Sequence, residues 1–320
     1  MKIAIAQIAP VLLDRAETEQ RVLDAMTQAQ GAQLIVFGEG LLPGYPFWVE
    51  RTDGARFDSA RQKDWYARYV KAAVDIEAGG LQRIQTHAEA LGMATYIGIM
   101  ERPLDRGGHS LYASLVYIDA KGVVQSVHRK LMPTYEERLV WSPGDGAGLV
   151  AHDLHEFRVG GLNCWENWMP LARAALYAQG VNLHVAVWPG NLANTEWITR
   201  FIARESRSYV VSVSGLLRRE DLASPATPDE RWHGNTTIAN GGSCVAAPNG
   251  EWLLEPVVDE SGVFTVDIDL DQVFAERQNF DPSGHYARPD VLELKVNRAR
   301  LTAAEFSDSS VRSEDESVPE

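Results

Sequence analysis

Cysteine and positive charge are both scarce in this chain of 320 residues. Its two cysteines exclude a disulfide framework, so each thiol is core filler, a metal ligand or a nucleophile. Lys and Arg total 30 against 44 Asp and Glu, which gives a net charge of −14 with no long basic run. Nucleic acids and anionic membrane surfaces are bound through basic faces, so neither is an expected partner.

Long apolar runs and targeting features are missing as well. No stretch reaches the ~18 apolar residues that a membrane helix needs, and residues 1–7 have a strand pattern rather than that of a signal peptide. We therefore expect a reducing, cytoplasmic environment in which thiols stay free. The Gly-x-Ser-x-Gly nucleophile motif and the glycine-rich phosphate loops are absent too.

The apolar pattern predicts an α/β fold. Apolar runs at 3–8 and 34–37 are predicted strands, and a helix between them begins at the capping-box pair Asp14 and Glu17. This order of strand, helix and strand is typical of a parallel βαβ unit. Further strands are predicted at 93–100, 157–163, 183–187, 210–217 and 263–268, with hairpins joining 111–118 to 123–128 and 243–247 to 251–254. Most of these strands are apolar on both faces, and their number is too large for one sheet. We expect two sheets with helices outside them.

Connecting segments complete the organisation of the chain. Asn194 is predicted to cap a helix over 195–208, and residues 218–235 are predicted to form a surface loop. No linker divides the chain, so one domain is predicted over 1–300, followed by a tail over 301–320. Residues 307–320 hold five acidic residues, one basic residue and five serines, a composition that predicts disorder.

Three polar residues follow predicted strands at the edge where α/β sheets bind ligands. Glu39 and Lys130 each come two residues after a strand, and Cys164 follows its strand directly. A thiol at a strand-to-helix turn near a lysine is expected to have a pKa below its free value of about 8.5. As a unit, the Cys attacks an electrophilic carbon, the Glu transfers protons and the Lys stabilises negative charge.

These residues lie in three blocks that resemble, in order and spacing, the signature blocks of the nitrilase superfamily. The resemblance covers roughly residues 2–290, and its blocks read Phe37-Gly38-Glu39-Gly40-Leu41-Leu42-Pro43-Gly44-Tyr45-Pro46, His128-Arg129-Lys130-Leu131-Met132-Pro133-Thr134 and Asn163-Cys164-Trp165-Glu166-Asn167. One departure is that the family often has Pro before and Ala after the first glutamate, where this chain has Gly38 and Gly40.

The resemblance implies an α/β fold of the four-layer αββα sandwich type and a Glu39–Lys130–Cys164 catalytic triad. It also implies a second glutamate, at Glu137 rather than the neighbouring Glu136, that positions the substrate and the lysine. No metal and no organic cofactor are implied. The family forms homodimers that extend into larger spirals, so a homo-oligomer is expected.

The third block favours one branch. Cys-Trp-Glu-Asn is similar to true nitrilases, as are the segments 137–146 and 284–290, whereas amidases usually show Cys-Tyr-Asp. The implied reaction converts a nitrile to a carboxylic acid and ammonia through a covalent thioimidate on Cys164, stabilised by Lys130 and the Trp165 N–H. An amidase, a cyanide-processing enzyme and a non-catalytic scaffold of the same fold remain alternatives.

Several other residues could contribute to a site. Tyr45, Trp165 and Trp188 are candidate substrate-binding residues, although aromatic side chains more often serve packing. They make an aromatic nitrile or arylacetonitrile plausible beside an aliphatic one. Cys244 lies in a strand pattern without a partner motif and reads as core filler. His152 and His155 have the spacing of a metal pair but lack further ligands, so no metal site is predicted.

Overall fold

The structure, a computed structural model, describes residues 1–218, residue 221 and residues 237–304. Most of the loop predicted over 218–235 lies outside the described residues, as do residues 305–320 of the predicted acidic tail. The division into one domain and a tail therefore stays a prediction.

The described residues form thirteen strands and seven α-helices. The strands are β1 (Lys2–Gln7), β2 (Leu34–Phe37), β3 (Ala94–Glu101), β4 (Tyr112–Ile118), β5 (Val124–Arg129), β6 (His152–Leu154), β7 (Phe157–Asn163), β8 (Leu183–Trp188), β9 (Tyr209–Ser214), β10 (Leu216–Arg218), β11 (Thr237–Ala246), β12 (Trp252–Val258) and β13 (Gly262–Asp267). The helices are α1 (Arg15–Gln28), α2 (Trp48–Arg51), α3 (Ala60–Ala72), α4 (Gln82–Leu91), α5 (Pro170–Tyr177), α6 (Leu192–Ser206) and α7 (Leu270–Arg277).

The strands form two sheets. The first has the order β13-β1-β2-β3-β4-β5, and the second has the order β10-β11-β9-β8-β7-β6, with β12 paired to β11. Strands β1, β2 and β3 run parallel, as do β7, β8 and β9, while the outer strands are antiparallel. Each sheet thus has a parallel centre whose strands end at a common edge.

Alternating side chains of each strand face opposite layers. Ile3 and Ile5 of the first sheet lie in one core with Val185 and Val211 of the second sheet. Ala4 and Ala6 instead face outward and pack with Val22, Met26 and Ile84 of helices α1 and α4. On the outside of the second sheet, Ala186 and Trp188 pack against α6. These layers confirm the αββα sandwich, because each sheet is covered on both faces.

Local features set the ends of several helices, and the sequence predicts the cap of α1. The Asp14 side chain accepts the Glu17 N–H at 3.0 Å and caps α1. Helix α4 ends at Gly92, whose φ of +60° suits glycine, and Pro170 occupies the first turn of α5.

The start of α6 differs from its prediction. The helix begins at Leu192, so Asn191 is the N-cap residue and Asn194 lies inside the first turn. The Asn194 side chain donates to the Gly190 carbonyl instead of capping the helix. Helices α2 and α3 were not predicted, because α2 is a single turn and α3 buries only Trp65 and Tyr69.

Arg300, in the segment after α7, contacts the first sheet, because its Nη2 donates to the carbonyl of Val127 in β5 at 2.9 Å. Arg300 Nη1 donates to Asp145 Oδ1 at 3.0 Å, and the Leu301 N–H donates to Asp145 Oδ2 at 3.0 Å.

Within the described part of the chain, none of the helices has the length and apolar character to cross a membrane.

Candidate active site

The three predicted triad residues meet between the ends of strands from both sheets. Glu39 follows β2, Lys130 follows β5 and Cys164 follows β7. Lys130 Nζ lies 2.9 Å from Glu39 Oε1 and 2.7 Å from Glu137 Oε2. Glu39, Glu137 and Cys164 each place a carboxylate oxygen or Sγ within 4.8 Å of the others. All four side chains are buried, so their charges interact with little screening by water.

Glu39 is held by backbone contacts that join the two sheets. Its N–H donates to the carbonyl of Trp188, at the end of β8, at 3.3 Å. Gly98 of β3 lies directly beneath this turn, where a Cβ would collide with the Gly38 carbonyl oxygen. Gly40 has a φ of +62°, a conformation that favours glycine. Gly40 thus suits the turn by its conformation, and Gly98 lets the turn pack closely against β3.

Glu137, rather than Glu136, faces the lysine. It lies in a 3₁₀ helix over Tyr135–Leu139, where Thr134 and Glu137 form a capping box. Glu137 Oε2 accepts the Thr134 N–H at 2.6 Å as well as Lys130 Nζ, and Oε1 accepts the Tyr45 hydroxyl at 2.7 Å. With its carboxylate fixed from three sides, Glu137 holds the ammonium in place.

Cys164 lies at a sharp turn between β7 and a 3₁₀ helix over Cys164–Trp168. Its φ of +49° is in the left-handed region, which costs a non-glycine residue roughly 1–2 kcal/mol. Such strain persists where the surroundings fix the backbone, and it is common at functional sites. The turn brings the backbone N–H of Trp165 to the thiol.

The pKa of Glu39 is raised to about 8. Burial is the main cause, the Lys130 ammonium opposes it, and the negative charges of Glu137 and Glu166 add to the rise. Apart from Lys130, neither oxygen of Glu39 has a hydrogen-bond partner within the described residues. The carboxylate is thus free to accept a proton.

The expectation of a lowered Cys164 pKa is wrong. Burial raises the thiol pKa well above its ordinary value, and the carboxylates of Glu39 and Glu137 add to the rise against the attraction of Lys130 and the Trp165 N–H. Burial also disfavours the Lys130 ammonium, but its negative neighbours outweigh this effect and raise its pKa. The resting site therefore holds a thiol and an ammonium.

The candidate aromatic residues occupy different environments. Tyr45 contacts Glu137 and meets Trp141 edge-on, with ring centroids 5.4 Å apart. Trp165 is 52 % exposed, whereas Trp188 is fully buried beside Cys164 in the core. Trp141 was not predicted, yet Lys130 Nζ lies 5.4 Å from its ring centroid, in range of a cation–π contact. The substrate-binding roles of Tyr45, Trp165 and Trp188 stay predictions.

A second buried acid–base pair beside the triad was also missed. His128 Nε2 lies 3.0 Å from Glu166 Oε2. Burial alone would raise the pKa of Glu166, but His128 and the N–H groups of Leu131 and Asn163 lower it below its ordinary value. Asn163 and Glu166 have the N-cap and N3 spacing of a capping box, a pattern that could have identified this residue from the sequence.

Among the described residues, one cluster has the composition of a metal site, namely Glu39, Glu137 and Cys164. The Lys130 ammonium already lies between the two carboxylates and supplies the positive charge there. His152, a member of the histidine pair considered above, instead stacks on Tyr117 at 4.3 Å between ring centroids.

Comparison with known proteins agrees with the family that the three sequence blocks resemble. The model of the carbon–nitrogen hydrolase family matches residues 2–278. An aliphatic nitrilase of Rhodococcus rhodochrous is 30% identical over 320 residues, covering 96% of this chain and 82% of the relative. A bifunctional nitrilase/nitrile hydratase of Nicotiana tabacum is 31% identical over 318 residues, covering 95% and 86%. The chain therefore belongs to the carbon–nitrogen hydrolase family, in its nitrilase branch, and is a hydrolase.

A solved structure supports the fold. A CN-hydrolase superfamily protein of Xanthomonas campestris, with an arsenic adduct in its active site, superposes with a TM-score of 0.66. It is 17% identical in sequence, and the match covers 88% of this chain and 94% of that protein. At this identity the similarity concerns the fold alone.

Proposed function

We propose that this enzyme hydrolyses a nitrile, with two molecules of water, to a carboxylic acid and ammonia. The observation that carries the proposal is the buried contact of Lys130 with both Glu39 and Glu137 beside the Cys164 thiol. The names of the nitrilase relatives support the nitrile as substrate.

In the first step, Glu39 accepts the thiol proton while Cys164 Sγ attacks the nitrile carbon. A C–S bond forms, one π bond of the nitrile breaks, and the nitrogen takes up the proton to give a thioimidate. The raised pKa values of both groups fit this route, because the thiol keeps its proton until a base as strong as Glu39 removes it during the attack.

Charge that develops on the nitrogen is stabilised by Lys130 and by the Trp165 N–H. The ammonium is fixed by two carboxylates and the N–H by the 3₁₀ turn, so neither group needs to reorganise during the reaction. This arrangement supplies positive charge where the attacked group becomes negative.

Water then completes the hydrolysis in two additions. Glu39 removes a proton from the first water, which adds to the thioimidate carbon, and ammonia leaves with the returned proton to form a thioester. The second water cleaves the C–S bond of the thioester, releasing the acid and restoring the thiol. If the first tetrahedral species expels the thiol instead of ammonia, the product is the amide, the outcome that the name of the Nicotiana relative describes.

The substrate is proposed to be an aromatic nitrile, an arylacetonitrile or an aliphatic nitrile. Tyr45, Phe47 and Trp141 form an aromatic group next to Glu137, and Trp165 packs near Trp168, which supports an aromatic substrate. The name of the Rhodococcus relative supports an aliphatic one.

We also infer a cytoplasmic homo-oligomer, either a dimer or a larger spiral. Exposed apolar side chains on neighbouring helices support self-association, including Leu171 of α5 and Trp197 and Phe201 of α6. Size-exclusion chromatography with light scattering tests it, and a monomer at micromolar concentration would contradict it.

The activity is tested by ammonia release from phenylacetonitrile, benzonitrile and an aliphatic dinitrile, with the matching amides and cyanide in parallel. We expect acid and ammonia from at least one nitrile and none from Cys164→Ala. Ammonia from amides alone would indicate an amidase, and turnover of cyanide alone a cyanide-processing enzyme. A Cys164 thiol that resists iodoacetamide, together with no turnover, would indicate a scaffold.

A further inference from the structure

The Glu166 side chain connects the backbone segments that carry the proposed nucleophile and lysine. It is 1 % exposed, and its Oε2 accepts the Asn163 N–H at 2.8 Å. Its Oε1 accepts the Leu131 N–H. Asn163 directly precedes Cys164, and Leu131 directly follows Lys130. One carboxylate therefore accepts the backbone N–H groups of the residues next to Cys164 and Lys130.

A third donor fixes the orientation of this carboxylate. His128 Nε2 lies 3.0 Å from Oε2 and 3.2 Å from Oε1 of Glu166. Since an ionised carboxylate can only accept, the ring nitrogen donates. His128 is itself buried in β5, two residues before Lys130, so the pair adds a second connection to the lysine strand.

The two connected segments belong to different sheets. Lys130 follows β5, the edge strand of the first sheet, and Cys164 follows β7 of the second sheet. No β-ladder joins these strands to each other in the described structure, so the distance from Sγ to Nζ depends on contacts between the sheets. Cys164 also has a strained φ of +49°, which neighbouring contacts must maintain.

We propose that Glu166, with His128, is a positioning residue that sets the geometry between Cys164 and Lys130. The proposal rests on the proposed function for its turnover measurements but not for its thiol-reactivity measurement. Glu166 acts through the Asn163 and Leu131 N–H groups, and it takes no part in bond formation itself.

Glu166→Gln is the main test because it preserves size while removing one acceptor oxygen. Both oxygens of Glu166 accept from backbone N–H groups, one from Asn163 and the other from Leu131. In the variant, the side-chain NH₂ group replaces one of these oxygens, so two hydrogen-bond donors face each other at one of the two positions. One of the two segments must then shift. A displacement near 1 Å costs about 100-fold in rate in well-ordered sites.

We expect Glu166→Gln to lower kcat by about 100-fold while KM changes by less than about threefold. The rate of iodoacetamide alkylation at Cys164, followed by peptide mass spectrometry, is expected to fall at least about tenfold. Cys244 is an internal control for folding in the same digest, because it is buried and burial raises its pKa to about 12, so it should stay unlabelled in the folded protein.

The matched control is Asp119→Asn. Asp119 also accepts two backbone N–H groups, those of Lys121 and Val123, and a side-chain amide from Gln125. It lies in the turn before β5, at the opposite end of that strand from the lysine. We expect this variant to keep the wild-type kcat and alkylation rate, whatever its thermal stability.

Histidine variants decide the question if Glu166→Gln does not fold. His128→Leu removes the donor, whereas His128→Gln keeps an amide that can donate to the carboxylate. If the pair positions the site, His128→Leu should lose at least about tenfold in kcat, and His128→Gln should recover a substantial part of that kcat. A role in packing alone would treat the two alike.

Two results would overturn the proposal. One is a folded Glu166→Gln variant with kcat and alkylation within about threefold of wild type, and the other is His128→Gln no more active than His128→Leu. If the wild-type enzyme turns over no nitrile, the alkylation rates alone decide the positioning role. Failure of the proposed function is thereby distinguished from failure of this inference.

Discussion

The raised pKa of Glu39 predicts how activity depends on pH. In the proposed mechanism the ionised form is the base, so activity requires deprotonation of a carboxylate whose pKa is about 8. Its ionised fraction rises from about 9% at pH 7 to about 90% at pH 9, which is about a tenfold increase in kcat/KM. The pKa values of Cys164 and Lys130 are both raised, so neither is expected to end this rise below pH 9.

The assay is ammonia release at substrate concentrations well below KM, from pH 6 to 10, with a non-ionisable nitrile. Iodoacetamide alkylation of Cys164 should follow the same curve, which separates a property of the site from one of the substrate. A rate that is flat or falling between pH 7 and 9 would refute the reasoning, and Glu39→Gln should remove the rise in alkylation.

Three further predictions concern single residues. Cys164→Ala should abolish turnover without loss of cooperative unfolding in calorimetry, and retained activity would contradict its role as nucleophile. Tyr45→Phe removes a hydrogen bond to the Glu137 carboxylate and should lower kcat/KM about tenfold in steady-state assays, while an unchanged value would show that Glu137 needs no such support. Gly98→Ala places a methyl group against the Glu39 turn and should lower the free energy of unfolding by about 1–3 kcal/mol in urea titrations. Gly262→Ala, which meets only a flexible side chain, is its control, and equal losses would contradict the collision.

Much of the fold was predictable because the central strands are apolar on both faces. Runs such as 34–37 and 183–187 have no polar residue to place at a surface other than His184, so they indicate sheets covered on both sides. The short helix α2 and helix α3 were not predictable in this way. The buried face of α3 consists of Trp65 and Tyr69, too few positions for a 3.6-residue period.

The proximity of Glu39, Lys130 and Cys164 was predictable, but the electrostatics of the group was not. Glu39, Lys130 and Cys164 each follow a strand, and that local rule gave their common location. The direction of the Cys164 pKa depends on burial and on two carboxylates more than 20 residues away in the chain, which only the folded structure brings together. The capping-box spacing of Asn163 and Glu166 is visible in the sequence, but the contact of Glu166 with the distant Leu131 is not, because a backbone N–H group leaves no trace in residue type.

One ammonium between two carboxylates also determines which charges the site tolerates. With Glu39 protonated, Lys130 and Glu137 balance each other, and with Glu39 ionised the group carries one net negative charge. A neutral nitrile fits both forms, whereas the anionic product of the proposed reaction is repelled by the ionised form. The proposed base, once ionised, thus also promotes departure of the acid, and product inhibition should weaken as the pH rises through about 8.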